Sequence, residues 1–205
     1  MSEDQNAYWE NVYTKETVKH PVYDGWLDQY LPILKRCQRI LDLGCGIGVN
    51  TLYLRSAGIQ TTACDFSQSA LDVLVSTLPD APVLCFDMTT GLPFLPESID
   101  AIIADLSLHY FPDAVTRQIV ADMKKVLRPG GLLLCRVNAY EDEFDPSSFE
   151  TIDKDYYTVN ECTKRFFTPQ TLREYFSGWQ IIKVSDQKTE KYGFVKPVIF
   201  AHLIK

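Results

Sequence analysis

No stretch of the 205-residue sequence comes near the roughly 20 consecutive apolar residues that a membrane-spanning helix needs, so no membrane association is expected. The opening residues, MSEDQNAYWENVYTK, lack the basic start and apolar stretch of a secretory signal, and no signal peptide is expected. The six cysteines include no Cys-x-x-Cys pair and no Cys/His spacing suited to zinc, so no metal site is expected. Cys64, Cys85 and Cys135 fall in apolar, strand-like runs, where free cysteine behaves as a small hydrophobe. These features point to a reducing cytoplasm. Basic residues are also in short supply, with 20 Lys and Arg against 27 Asp and Glu and a net charge of -7. That balance disfavours nucleic acid as a general partner, while leaving room for a local basic groove. Internal repeats and low-complexity segments are absent.

What is present suits one domain, since the length is too short for two ordinary ones and a 46% hydrophobic fraction supplies a core. Between residues 40 and 137 short apolar runs alternate with helical stretches, the mark of βα units and a parallel sheet. Strands are predicted at 39–43, 60–65, 82–86, 98–106 and 132–137. Helices are predicted at 49–57, closed by Gly58, from the N-cap Ser67 to Leu78, and at 113–127, stopped by Arg128-Pro129-Gly130-Gly131. Residues 139–161, acidic and aromatic, read as a loop or short helices. A short helix at 168–176 precedes an antiparallel pair at 180–185 and 195–203. Residues 5–36 read as one or two helices covering the ligand cleft, with Tyr8, Trp9, Tyr13, Tyr23 and Trp26.

The most informative segment is Asp42-Leu43-Gly44-Cys45-Gly46-Ile47-Gly48, a strand entering a glycine turn with a helix after it. Glycines allow close approach of a ligand to the backbone, and the helix start offers free N–H groups. The spacing is GxGxG, and Val49 stands where the dinucleotide fingerprint has its third glycine. Asp42 would repel a pyrophosphate and suit an ammonium. Asp65, about 20 residues after the loop, suits the two hydroxyls of a ribose. Asp87 suits the amino group of adenine, with Phe66 and Met88 on either side of the ring. Each acid also has a plain reading as a cap or turn residue, most readily Asp87-Met88-Thr89. Three acids at three successive strand ends converge on one crevice.

These residues resemble the class I S-adenosylmethionine (SAM)-dependent methyltransferases over most of the chain. ILDLGCGIGVN looks like the family's first motif, ACDFS its acidic motif, CFDM its adenine motif and LRPGGLLL the motif before the fifth strand. YWENVYTK is similar to the leader of many small-molecule members. The resemblance implies an α/β, Rossmann-like, seven-stranded and mostly parallel sheet, its last strand antiparallel, with helices on both faces and an N-terminal helical cover. It implies a single domain: cover at 1–36, SAM-binding core at 37–138, and a substrate-side insertion with C-terminal strands at 139–205. Asp42, Gly44, Cys45, Gly46 and Gly48 would hold the amino-acid end of SAM, Asp65 the ribose, and Asp87 the adenine, with Phe66 and Met88 about its ring. Asp105, Leu106, Tyr8 and Tyr13 would complete the cofactor site.

Methyl transfer from a sulfonium needs mainly alignment, and a base only if the acceptor must lose a proton. His109 is the candidate base, the alternative being a structural histidine, and Asp105 is the second catalytic candidate. His109, Tyr110, Arg136 and Asn138 are the candidate acceptor contacts, Arg136 as a bidentate partner for a carboxylate. The Asp/Asn-Pro-Pro-Tyr motif of nucleic-acid and glutamine methylation is absent; Asp105-Leu106-Ser107-Leu108 stands there. A small-molecule acceptor and a monomer or homodimer are therefore expected. The alternatives are an enzyme acting on protein or RNA, a nicotinamide-linked dehydrogenase, and a non-catalytic SAM-binding regulator.

Overall fold

The computed structural model describes residues 3–14, 22–141, 144–159, 162–191 and 193–205. Its main sheet contains β1 (Ile40–Leu43), β2 (Thr62–Asp65), β3 (Val83–Cys85), β4 (Ile99–Asp105) and β5 (Leu127–Asn138), completed by β9 (Gln180–Thr189) and β10 (Lys196–Ile204). The order is β3-β2-β1-β4-β5-β10-β9, with β10 antiparallel to both β5 and β9 and the other pairings parallel. Strand order reverses between β1 and β4. Chains leaving those two strands diverge, and a crevice opens at their carboxyl ends.

Alternation along the strands builds a core on each face. On β4, Ile102 and Ala104 join one cluster while Ala101 and Ile103 join the other; on β5, Leu133 and Cys135 alternate with Leu132 and Leu134. The first cluster is closed by α5 (Asp113–Val126) through Ile119, Val120 and Met123, and by Leu172 of α6 (Pro169–Tyr175). The second is closed by Leu54 of α3 (Val49–Ser56) and by Trp26, Leu27, Tyr30 and Leu34, which precede the strands. Leu34 ends the short α2 (Leu31–Leu34). A fully buried side chain such as Ile102 or Ile103 contributes roughly 1.5–3 kcal/mol.

Local chemistry sets the helix starts. Ser67 accepts from the Ala70 N–H at 3.1 Å ahead of α4 (Gln68–Thr77). Thr168 forms a capping box ahead of α6, with Pro169 in its first turn. α1 (Glu3–Thr14) packs on α4.

Three expectations change. The segment read as a loop or short helices holds β6 (Glu150–Asp153), β7 (Tyr156–Val159) and β8 (Cys162–Arg165), an antiparallel sheet of its own. Its β-branched and aromatic residues satisfy a strand period, and the β6–β7 turn works because Asp155 accepts a φ of 58°. The Arg128–Gly131 stop lies within β5 as an excursion: Leu127 pairs with Ile99, and pairing resumes at Leu132 with Ala101. Trp26 belongs to the second core rather than to a cover over the cleft; residues 15–21 of that predicted segment lie outside the described residues. Among the described residues, no helix is long and apolar enough to cross a membrane.

Candidate active site

β1 runs into the loop Gly44–Gly48, where three glycines take positive φ: 72°, 54° and 82° at Gly44, Gly46 and Gly48. The turn is held from beneath. The Gly44 and Cys45 N–H groups donate to the Cys64 carbonyl at 2.8 and 3.0 Å, and the Gly46 N–H donates to Asp65 Oδ2 at 2.8 Å. A Cβ on Gly44 would lie 2.3 Å from Ser107 Cβ, and one on Gly46 would lie 2.8 Å from the Tyr13 hydroxyl. The loop is thus pressed between the β4 end and α1. Gly48 brings no side chain to cap α3; Asp42 takes the Thr51 N–H of its first turn, and the N–H groups of Val49 and Asn50 are left toward the loop region.

Asp42 lies below this turn, fully buried, and does not line the crevice. Its Oδ2 accepts from the Thr51 N–H at 3.1 Å and the Thr51 hydroxyl at 2.7 Å, while Oδ1 has no partner among the described residues. Its expected contact with an ammonium gives way to pinning α3 to β1. Burial pushes its carboxyl up to about 6, against the pull of Thr51. Between about pH 4 and 6 the folded protein therefore holds a proton that the unfolded chain has lost. Stability should fall as pH rises through that window, by up to about 3 kcal/mol from this group. Asp42→Asn should flatten that slope; urea midpoints of both proteins near pH 4 and near pH 7 would measure it, and parallel pH curves would contradict it.

Above the turn lies a cavity of about 490 Å³. Its first end carries Asp65, Phe66, Phe86, Asp87 and Met88, with Gly44, Cys45 and Gly46 on its floor. Asp65 is mostly buried, which raises its pKa, and the Ser67 and Gly46 N–H groups partly offset that rise. Burial is the largest influence on Asp87 and works to raise it, but the Thr89 N–H at 2.9 Å, the Thr89 hydroxyl and further favourable partners together bring the net shift down. Asp65 and Asp87 thus serve as turn acceptors and face the cavity together. Gly48 does not reach it; there a Cβ would strike Leu74, so that glycine serves packing against α4. Trp9, Val12 and Tyr13 of α1 line the cavity, whereas Tyr8 packs edge-on against Trp9 without lining it.

The second end is formed by Asp105, Leu106 and Ser107 after β4, with Tyr110, Phe111 and Phe194. Leu106 sits at φ 58°, a conformation costing a non-glycine residue roughly 1–2 kcal/mol. Asp105 is tied on two sides: Arg136 Nε and Nη2 reach it at 2.7 and 3.0 Å, and Lys191 Nζ at 2.9 Å. Burial alone would raise its pKa, but Lys191 and Arg136 hold it well below the usual carboxylate range.

Three expected acceptor contacts do not reach the cavity. Arg136 is 1% exposed, clamped between Asp105 and Asp24 with its guanidinium 4.5 Å over the Trp26 ring, because register places it beside Asp105 on the neighbouring strand. Asn138 is buried with neither amide atom partnered among the described residues. His109 is fully buried, neither ring nitrogen has a partner among the described residues, and burial followed by Lys196 and Lys164 pushes its pKa well down. A ring without a cavity face cannot receive an acceptor proton directly. Lys164, Lys191 and Lys196, which sequence reasoning missed, do line this end.

The groups present suit a nucleoside: the carboxylates of Asp65 and Asp87 face the cavity as acceptors, aromatic and thioether side chains lie beside them, and a helix starts next to a glycine loop. Residues 40–131 match the methyltransferase domain family. A bifunctional biotin-biosynthesis protein of Cellvibrio japonicus is 32% identical over 169 residues, covering 80% of this chain and 32% of that protein. A tRNA N(3)-cytidine methyltransferase of Xenopus tropicalis is 28% identical over 163 residues, covering 72% and 48%. The chain spans less than half the length of the curated relatives it matches most strongly. In fold it is similar to the Burkholderia thailandensis 1,6-didemethyltoxoflavin-N1-methyltransferase, solved with its substrate and S-adenosylhomocysteine (SAH): TM-score 0.71, 16% identity, 98% of this chain and 87% of that one.

Proposed function

The chain belongs to the class I SAM-dependent methyltransferases, and on that footing we propose that it transfers the SAM methyl group to a small-molecule acceptor. The observation carrying this reading is a single cavity that joins the two carboxylates suited to a nucleoside to an aromatic end under α1. About 490 Å³ must serve cofactor and acceptor together, which suits a small acceptor better than a folded macromolecule.

Bound SAM supplies an electrophilic methyl on a positively charged sulfur. Asp65 accepts from the ribose hydroxyls and Asp87 from the adenine amino group, with Phe66, Phe86 and Met88 beside the ring. The Gly44–Gly46 backbone and the start of α3 receive the amino-acid end. Tyr110, Phe111 and Phe194 exclude water and orient the acceptor. Among the described residues that line the cavity there is no imidazole, and alignment of acceptor, methyl and sulfur carries the rate enhancement. One domain with the cover, core and substrate-side insertion at 1–36, 37–138 and 139–205 performs the reaction. Its six cysteines, with no Cys-x-x-Cys pair, suit the cytoplasm.

The test is transfer from SAM carrying a trideuterated methyl to an extract separated by size. Label in the small-molecule fraction is expected. Label confined to RNA or protein would overturn the acceptor class.

A further inference from the structure

We propose that the methyl acceptor is an oxyanion-bearing small molecule whose negative group is received between Lys164 of β8 and Lys196 of β10. This rests on the methyltransferase reading and names the substrate class for the same cavity. Lys164, Lys191 and Lys196 come from three separate segments and converge on one end of it. Lys191 is answered by Asp105, a carboxylate already shared with Arg136. Among the described residues, Lys164 and Lys196 form no ion pair.

The two ammoniums act on each other and on their surroundings. Burial, followed by Lys164, brings the Lys196 pKa down to about 8, with Glu141 and Asp105 pulling the other way. Glu141 is exposed and forms no ion pair with either lysine, and Asp65 and Asp87 line the same cavity without pairing with them among the described residues. A sulfonium would add another positive charge. Concentrated cation in a partly desolvated cleft is unfavourable on its own and becomes favourable once a ligand brings the opposite sign. Ammonium groups on two strands can each donate to a carboxylate or a phosphate, and such charge-assisted bonds are among the stronger ones. An acceptor that is neutral throughout would leave both lysines unanswered.

The experiment has two arms. Calorimetry of the wild-type protein with SAH comes first; absence of binding there would defeat the methyltransferase reading itself. The second arm gives the protein trideuteromethyl-SAM and a mixture of small carboxylic acids and phosphate monoesters, each with its neutral amide or ester. Mass detection scores which members gain the label, and which of the two oxyanion types is taken. Methylation of anionic members over their neutral partners is expected. The Lys164→Gln, Lys196→Gln double variant should raise the KM for the preferred acid at least about tenfold while SAH affinity is retained. SAH binding accompanied by equal use of neutral partners, by no labelled anion, or by an unchanged KM in the variant would overturn the inference and leave the methyltransferase reading standing.

Discussion

Asp105→Ala is expected to destabilise the protein by about 3–5 kcal/mol, the usual effect of stripping one partner from a buried ion pair. The carboxylate is 1% exposed and answers two cations from different segments, Arg136 on β5 and Lys191 beyond β9. Without it, Arg136 keeps Asp24 at 2.6 Å and the Trp26 ring, while Lys191 loses its carboxylate partner. Asn50 Nδ2, 3.3 Å from Asp105, loses an acceptor as well. Against a typical total of about 5–15 kcal/mol, such a loss takes roughly a fifth or more of the stability. Urea denaturation near neutral pH would measure it, and a change below about 1 kcal/mol would show that the network is not a keystone of this fold. Because the folded pKa of Asp105 is depressed, its stabilisation is complete above the ordinary carboxylate range and is lost as pH falls below it. Asp42 acts with the opposite sign, so acid titration of the two variants separates their contributions.

Gly46→Val should abolish most SAH binding while leaving a folded protein. The residue sits at φ 54°, which a β-branched side chain resists, and its first carbon would meet the Tyr13 hydroxyl at 2.8 Å. The Tyr13 ring can swing aside, but the strain at positive φ is relieved only by moving the loop, which disturbs the Gly46 N–H that holds Asp65 in place. A combined penalty of about 3 kcal/mol corresponds to a weakening on the order of a hundredfold. Calorimetry with SAH, beside a circular-dichroism melt to verify folding, would test this; near-normal affinity would remove the loop from the site. The obstruction arises from a residue of this chain rather than only from lost ligand space, a distinction invisible in the motif itself.

The parts of the molecule legible in the sequence were those where neighbouring residues carry the information. β1, β2 and β4 stand out as apolar runs, and the glycine turn follows β1 within a few residues. Asp65 and Asp87 are legible from strand ends, spacing after the glycine loop and motif resemblance, and parallel strands deliver such residues to one edge, where both line the cavity. Long-range pairing was harder to read. Arg136 stands in an apolar strand, and the signal available was that a charge in such a run calls for a buried partner; Asp105, its neighbour across the sheet, is that partner. His109 has the chemistry of a base, but it is buried on a turn that packs against β5 and β8, which no local pattern reveals. The three lysines at the acceptor end escaped notice for the same reason, each looking like an ordinary surface cation within its own segment. The small sheet β6–β8 was obscured by its polar composition, although Tyr156-Tyr157-Thr158-Val159 has the residue types that favour strands.

The most direct test is a calorimetric titration of the wild-type protein and Asp65→Ala with SAH. Stoichiometric binding by the wild type and a marked loss of affinity in the variant, with an unchanged melting curve, are expected if this carboxylate grips the sugar where β2 ends. Equal dissociation constants for the two proteins, or no heat from the wild type, would contradict the placement of the cofactor in this crevice.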